Sequence, residues 1–246
     1  MKKVAVVTGA SSGIGLAIAK KLQTLGYEAI NFDIKAPAEG SLPFIACDVS
    51  DPQKVKAAFA EVGQKYGPLE VLVNNCGLQF MAPIDEYPFE KWQQLIGVML
   101  TGSFLCTQNC WGGMKKNGRG RIINISSVHG KLASPYKSAY VAAKHGVLGL
   151  AKVAAIEGAP HNITVNTICP GFVDTPLMRD QIASQMKLNN LDEESVLKNI
   201  FLKDQHVKAL TSVDQVAGFV EFLVGPNANT ITGEAFNISG GWGMGL

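Results

Sequence analysis

The sequence predicts a single α/β domain, in which a doubly wound parallel sheet of about seven strands carries helices on both faces. Apolar runs of strand length alternate with segments of helical periodicity along the whole chain of 246 residues, as in sheets with helical crossovers. The strand cores, such as 4–7 and 122–125, are apolar at almost every position, which is typical of strands buried on both faces. One domain covering residues 1–246 is the expected organisation for a chain of this length.

The predicted strands are the short apolar runs, and the predicted helices are the longer segments in which apolar residues recur at helical spacing. In chain order the strands are 4–8, 28–33, 44–47, 69–74, 121–126, 163–169 and 235–238. The helical patterns are 14–25, 52–66, 89–110, 138–157, 177–201 and 213–223. The polar-rich stretch 177–207 follows a strand end, where open α/β sheets bind their ligands, so we expect it to form a lid over a substrate.

Composition and charge exclude several classes of protein. The formal net charge is +2 without a long basic run, so a nucleic-acid partner is not expected. No apolar run reaches the ~18 residues of a membrane span, and the N-terminus lacks the features of a signal peptide. Five cysteines are scattered without a C-x-x-C pair, which is typical of a reducing compartment. We therefore expect a cytoplasmic protein without a membrane partner or a metal site.

A glycine-rich turn lies between the first predicted strand and the first predicted helix. Its glycines allow the backbone to turn tightly and to approach a pyrophosphate, while the N–H groups at the start of the helix face the negative charge. The strand–turn–helix context makes this pattern more specific than glycine spacing alone. The residues predicted to bind the cofactor here are Thr8, Gly9, Ser11, Ser12, Gly13, Ile14 and Gly15.

Asp33 ends the second predicted strand, where a carboxylate can accept hydrogen bonds from the hydroxyls of an adenosine ribose. The same carboxylate would repel a 2′-phosphate, and the glycine turn contains neither Lys nor Arg. These features favour NAD over NADP, although Lys35 is near enough to keep NADP open as an alternative.

Tyr140 and Lys144 are four residues apart within a predicted helix and therefore share one of its faces. A phenol is a poor base at its ordinary pKa of ~10, but a neighbouring ammonium and a positive nicotinamide would favour the phenolate. Tyr140 could then exchange a proton with a substrate oxygen during hydride transfer. Ser127, at the end of the fifth predicted strand, could hold that oxygen by a hydrogen bond.

These motifs together resemble the short-chain dehydrogenase/reductase superfamily, and the resemblance covers essentially the whole chain. It implies a Rossmann-like domain in which Ser127, Tyr140 and Lys144 are catalytic and Lys144 also binds the nicotinamide ribose. It further implies cofactor contacts at the adenine side, beside the fourth strand and along the carboxamide. These residues are Asp48, Val49, Asn75, Gly77, Pro170, Gly171, Val173 and Thr175.

One residue departs from the family pattern. The family usually carries an asparagine in the helix after the fourth strand, and this asparagine is thought to hold a water in the proton path to the lysine. Met99 stands in that place, and a thioether is at best a weak acceptor. Proton exchange with solvent is therefore expected to be slower or to use another group.

Several segments also resemble bacterial 3-hydroxybutyrate dehydrogenases. In that family the residues that match Gln79, His129, Lys137 and Gln181 hold the substrate carboxylate, and Trp242 belongs to a further matching segment. The chemistry agrees, because Lys137 supplies a positive charge and the other three supply hydrogen-bond donors. We therefore expect an anionic small-molecule substrate, 3-hydroxybutyrate, which is oxidised to acetoacetate.

Three alternatives remain open at this stage. Within the superfamily, the chain could be a 3-oxoacyl thioester reductase or a sugar or polyol dehydrogenase. In a different class, it could be an NAD-binding regulatory protein with impaired catalysis, as Met99 would allow. By resemblance alone we also expect a homotetramer.

Overall fold

The computed structural model describes residues 3–37 and 42–245, which form a seven-stranded parallel sheet flanked by helices. The strands are β1 (Lys3–Thr8), β2 (Tyr27–Asp33), β3 (Phe44–Ala46), β4 (Leu69–Asn74), β5 (Gly120–Ile125), β6 (Ile163–Pro170) and β7 (Ala235–Ile238). Their order in the sheet is β3-β2-β1-β4-β5-β6-β7, and every pair is parallel. The predicted fold class and number of strands are confirmed.

The longer helices lie where helical periodicity predicted them. They are α1 (Gly13–Thr24), α2 (Pro52–Lys65), α3 (Phe89–Ile96), α4 (Gly102–Asn117), α5 (Ser138–Gly158), α6 (Pro176–Asn189), α7 (Glu193–Val196) and α8 (Val213–Val224). Single π-helical turns, Gly97–Thr101 and Leu197–Phe201, follow α3 and α7. The predicted helix 89–110 therefore contains a π-turn and extends to Asn117, while the predicted helix 177–201 is broken near Asn190.

Both faces of the sheet are buried, as the apolar strands predicted. Val4 and Val6 of β1 belong to a core that includes residues of α2, α4 and α5, whereas Ala5 and Val7 face a second core with α1 and α8. Strand order reverses direction between β1 and β4. Their carboxyl ends therefore border a crevice, which is the usual ligand position in a doubly wound sheet.

One helix, Ser138–His161, is long and apolar enough to meet the length and composition criteria for a membrane span. Its buried face includes Ala143, Lys144 and Val147, and residues of α5 belong to the first core cluster. Core helices of folded domains satisfy the same criteria, so this helix alone does not indicate a membrane protein.

Gly15 allows α1 to start directly against the β1 turn. A Cβ atom at this position would overlap the Gly9 carbonyl oxygen and lie 2.5 Å from Asn75 Nδ2. Gly63, on the exposed face of α2, has no such neighbour, since a Cβ there would meet nothing within 4 Å.

We predict that Gly15→Ala lowers the free energy of unfolding by about 1–3 kcal/mol, because the methyl group forces the turn away from α1. The matched variant Gly63→Ala should raise stability by up to about 1 kcal/mol, since alanine is the better helix former. Urea unfolding followed by circular dichroism measures both values. Equal stability of the two variants would contradict the close contact at Gly15.

Candidate active site

A cleft of about 640 Å³ opens at the carboxyl ends of the strands and contains most of the predicted site. It extends from Asp33, beside β2, to Tyr140 and Lys144 on α5 and to Trp242 near the C-terminus. The predicted residues that line it are Gly9, Ser12, Gly13, Ile14, Asp33, Asp48, Val49, Asn75, Gly77, Gln79, Ser127, His129, Lys137, Tyr140, Lys144, Pro170, Gly171, Val173, Thr175, Gln181 and Trp242. Residues from distant parts of the sequence therefore meet in one cleft.

The glycine turn has the backbone shape that a pyrophosphate requires. Gly9 and Gly13 have φ angles of 67° and 54°, a region that residues with a side chain rarely adopt. The Ser12 side chain stands at the N-terminus of α1 but accepts no hydrogen bond from the backbone N–H groups of the described helix. The first N–H groups of α1 thus remain available to an anion, as expected of a dinucleotide site.

Three further residues predicted to bind the cofactor, Thr8, Ser11 and Gly15, are not among those that line the cleft. The Thr8 hydroxyl accepts hydrogen bonds from the backbone N–H groups of Asn75 and Cys76, at 2.9 and 3.1 Å. Ser11 Oγ donates to the Lys35 carbonyl at 2.6 Å, and Gly15 provides the close approach of α1. These residues hold the cleft in shape, while their neighbours line it.

Asn31 supports the glycine turn and was not predicted from the sequence. Its fully buried side chain accepts a hydrogen bond from Ala10 N at 2.9 Å and donates to Ser11 Oγ at 2.9 Å. A buried amide in a strand is usually paired somewhere, but the sequence does not reveal the partner. Here the amide joins β2 to the turn that follows β1.

Asp33 lies half-buried at the end of β2 and its carboxylate is held by backbone groups. Oδ1 accepts from Ile34 N at 2.7 Å, and Oδ2 accepts from Ser11 N at 3.3 Å. Asp48, at the far wall of the same cleft, accepts from the Ser50 hydroxyl at 2.6 Å. Two oriented carboxylates therefore face the part of the cleft where an adenosine would lie.

Ser127, Tyr140 and Lys144 converge because β5 and the first turns of α5 are joined by hydrogen bonds. Lys144 Nζ donates to the Ile125 carbonyl at 2.8 Å, and Ser126 Oγ donates to the Lys144 carbonyl at 3.0 Å. Lys144 Nζ lies 5.7 Å from the centroid of the Tyr140 ring. The three predicted catalytic side chains therefore share one wall of the cleft.

Burial dominates the protonation of this group in the chain alone. Burial raises the pKa of Tyr140, although a hydrogen bond with Ser127 lowers it in part. Burial also lowers the pKa of Lys144 to about 8. We expected Lys144 to lower the pKa of the Tyr140 phenol, but the chain alone does not show this effect. Lys144 Nζ lies over the ring and donates its hydrogen bond to the Ile125 carbonyl.

Met99 is buried in the π-turn between α3 and α4, where the family asparagine was expected. It packs in a small apolar cluster with Leu95, Ala139 and Ala143, against which Tyr140 also rests. Its backbone carbonyl accepts from Ser103 Oγ at 2.7 Å. The thioether therefore supports the helix that carries Tyr140 through apolar contacts.

The predicted substrate residues surround the outer part of the cleft. His129 is buried beside Ser127, and its ring lies edge-on to Trp242 with centroids 5.2 Å apart. Lys137 Nζ lies 3.4 Å from His129 Nε2. Phe172, which was not predicted as a substrate residue, stacks on Trp242 with ring centroids 5.4 Å apart. Gln79 and Gln181 line the same cleft from opposite segments.

His129 remains neutral at physiological pH. Burial, followed by the positive charges of Lys137 and His145, lowers its pKa to about 4. Its buried Nδ1 atom has no hydrogen-bond partner among the described residues. Burial also lowers the pKa of Lys137. A negative group that entered the cleft would therefore stabilise the protonated form of both side chains.

The predicted lid segment 177–207 contains two helices that pack on each other. Met178, Ile182 and Val196 form an apolar cluster with residues of the strand end and of the second π-turn. Leu177, Met178 and Gln181 line the cleft. No group of three or more His, Cys, Asp or Glu side chains is arranged for a metal ion in the described ranges 3–37 and 42–245.

The parallel sheet, the crevice and the Ser–Tyr–Lys group define a dinucleotide-dependent oxidoreductase. A match to the family "short chain dehydrogenase" covers residues 3–186, and the chain belongs to this family. A D-beta-hydroxybutyrate dehydrogenase of Rhizobium meliloti is 42% identical over 98% of this chain and 99% of the relative.

Two solved structures show the same fold. The aldohexose dehydrogenase of Thermoplasma acidophilum, in ligand-free form, superposes with a TM-score of 0.93 at 33% identity, covering 100% of this chain and 95% of the other. An actinorhodin polyketide ketoreductase variant with NADPH gives a TM-score of 0.89 at 33% identity, covering 99% and 98%. The fold and the superfamily predicted from the sequence are confirmed.

We predict that His129 titrates near pH 4 and that Lys137→Gln raises its pKa towards the ordinary value of ~6.5, because a positive neighbour is removed. Since the folded pKa lies below the unfolded one, wild-type stability should decrease as the pH falls from about 6.5 towards 4. NMR of the histidine ring protons measures the titration. Lys56→Gln, on the distant helix α2, is the control and should leave it unchanged. A wild-type His129 that titrates near 6.5 would contradict the burial argument.

Proposed function

We propose that the chain is an NAD-dependent dehydrogenase that interconverts 3-hydroxybutyrate and acetoacetate. The observation that carries this proposal is the Lys137–His129 pair, which faces the same cleft as Tyr140. A positive side chain beside a neutral imidazole suits a carboxylate a short distance from the reacting carbon. The similar Rhizobium meliloti protein, a D-beta-hydroxybutyrate dehydrogenase, supports the same substrate.

The glycine turn, the free N–H groups of α1 and the Asp33 carboxylate fit a dinucleotide. Gly9 and Gly13 would lie against the pyrophosphate, and Asp33 would accept hydrogen bonds from the adenosine ribose. When bound, the oxidised nicotinamide accepts the hydride and adds a positive charge to the cleft. Asp33 would repel the 2′-phosphate of NADP, which favours NAD as the cofactor.

Tyr140 is proposed to take the proton from the substrate hydroxyl and to return it in the reverse reaction. Its phenol is buried and its pKa is raised in the chain alone, so the proton is held until positive charge reaches the cleft. The positive nicotinamide would supply that charge, while Ser127 would orient the substrate oxygen and Lys144 would hold the cofactor ribose.

Lys137, His129, Gln79 and Gln181 are proposed to hold the carboxylate. Lys137 would provide a positive charge, and the neutral His129 ring would donate a hydrogen bond from its N–H group to the carboxylate. Trp242, which stacks on Phe172, would bound the pocket on its apolar side. A short hydroxy acid would place its carboxylate at Lys137 and its carbon chain against Trp242, whereas a long acyl thioester brings no carboxylate to Lys137.

We also propose that the protein is cytoplasmic and assembles as a homotetramer. Large apolar side chains on α4 and α5 are exposed, including Phe104, Val153 and Ile156. An exposed apolar face of this kind often meets another copy of the chain. The resemblance to the family supports four copies.

We predict that Tyr140→Phe lowers kcat with 3-hydroxybutyrate and NAD by roughly 10³-fold, because the proton acceptor is lost. NADH binding, measured by fluorescence, should stay within twofold of the wild type. Tyr66→Phe is the control, since this tyrosine packs against the first core cluster and does not line the cleft. Wild-type turnover of an acyl thioester or a sugar with NADPH, but not of 3-hydroxybutyrate with NAD, would refute the proposed substrate. Tight NADH binding without turnover of any short alcohol would instead favour a regulatory protein.

Lys137→Ala should raise the KM for 3-hydroxybutyrate about 10-fold to 100-fold, because a charged hydrogen bond to the carboxylate is lost. The Kd for NADH should change little, since Lys137 lies at the substrate end of the cleft. Steady-state kinetics and NADH titration separate the two effects, with Lys56→Ala as the matched lysine variant. An unchanged KM would remove the carboxylate pocket from the proposal.

A further inference from the structure

The chain enters and leaves the lid segment at one point. Val173, just after β6, pairs with Thr211 in an isolated parallel bridge. Asp174 N donates to the Thr211 carbonyl at 2.8 Å, and Thr211 N donates to the Phe172 carbonyl at 2.9 Å. These bonds give the N-terminal end of the lid segment a fixed base, which is continuous with the wall of the cleft.

Arg179 connects this base to both lid helices. Its Nε and one terminal nitrogen bind the two oxygens of Asp174, each at 2.6 Å, and the other terminal nitrogen binds Glu193 at 2.7 Å. Asp174 belongs to the base, Arg179 to the first turn of α6 and Glu193 to the first turn of α7. Each nitrogen of the guanidinium therefore donates one hydrogen bond, and together they connect α6 to the base and to α7.

We propose that Arg179 is a positioning residue, which fixes the lid helices relative to the base and thereby places Gln181 and Met178 over the substrate. A bidentate arginine–carboxylate pair defines an orientation as well as a distance. Rotation of α6 about the base would move Gln181 away from the cleft. The effect of Arg179 on a substrate is therefore indirect, since its own side chain does not line the cleft.

Local contacts around the pair support this role. Thr175, between Asp174 and α6, caps the helix through its hydroxyl, which accepts from Met178 N at 3.2 Å. Thr175 also lines the cofactor end of the cleft. The apolar cluster beneath α6 and α7 holds the two helices together and also includes Phe172 and Leu210 beside the base. The ion pairs add a directional constraint, since apolar contacts alone define no specific orientation.

The three side chains are 39–51% exposed, so solvent and salt screen the interaction. We therefore expect the pair to affect the lid locally and global stability only slightly. The hydrogen bonds to Arg179 hold the pKa of Asp174 below its usual range, which keeps the carboxylate charged at neutral pH.

The test compares Arg179→Gln, Arg179→Lys and the control Lys65→Gln, which breaks an exposed ion pair of 2.6 Å on α2. In the full chain without cofactor, amide hydrogen exchange over 176–201 should become about fivefold faster in Arg179→Gln. Exchange over 138–158 should not change. Arg179→Lys should lie between the two, because lysine keeps the charge but lacks the fork.

The kinetic arm rests on the proposed function. With 3-hydroxybutyrate, Arg179→Gln should raise KM about fivefold with a smaller change in kcat, and Arg179→Lys should recover part of the loss. Exchange rates over 176–201 equal to those of Lys65→Gln would overturn the proposal. Faster exchange with an unchanged KM would overturn the positioning role. If the wild type does not turn over 3-hydroxybutyrate, the proposed substrate fails, and the exchange arm still decides whether Arg179 holds the lid.

Discussion

The hydrogen bond from Lys144 Nζ to the Ile125 carbonyl joins the central sheet to the helix that carries the reactive side chains. A buried cation must be paired, and here the partner is a carbonyl at the buried carboxyl end of a strand. Ser126 completes the junction through the Lys144 carbonyl. Because these bonds fix the register between β5 and α5, the position of Tyr140 relative to Ser127 follows from them.

The two ends of the cleft are built on different principles. The cofactor end consists mainly of backbone, shaped by glycines and held by buried polar side chains such as Asn31 and Thr8. The substrate end consists of side chains from separated loops and from the lid segment. Substitutions at the substrate end can thus change the ligand without disturbing the fold. This separation agrees with relatives of one fold that carry the names of different activities.

Much of the fold could be predicted from the sequence, because strands buried on both faces and a glycine turn leave local patterns. The seven strands followed from those patterns. The meeting of Tyr140 and Lys144 followed from their helical spacing, and that of Ser127 with both followed from the family resemblance. The break in the lid helix did not, since the left-handed backbone of Asn190 (φ 51°) has no strong local signal. The support from Asn31 and the arginine fork were also missed, because their partners depend on tertiary packing. The raised pKa of Tyr140 was beyond sequence reasoning for the same reason, since its main cause is burial.

Trp242, which follows β7, lines the end of the cleft proposed to bind substrate. The Gly240 carbonyl accepts hydrogen bonds from the backbone N–H groups of His206 and Val207. The Trp242 ring contacts the rings of both His129 and Phe172. The residues that line the cleft beside the glycine turn all precede β7 in the sequence, whereas Trp242 follows it. The wall that contains Trp242 therefore depends on the pairing of β7 with β6. A short edge strand thus governs the shape of one end of the cleft and leaves the other end untouched.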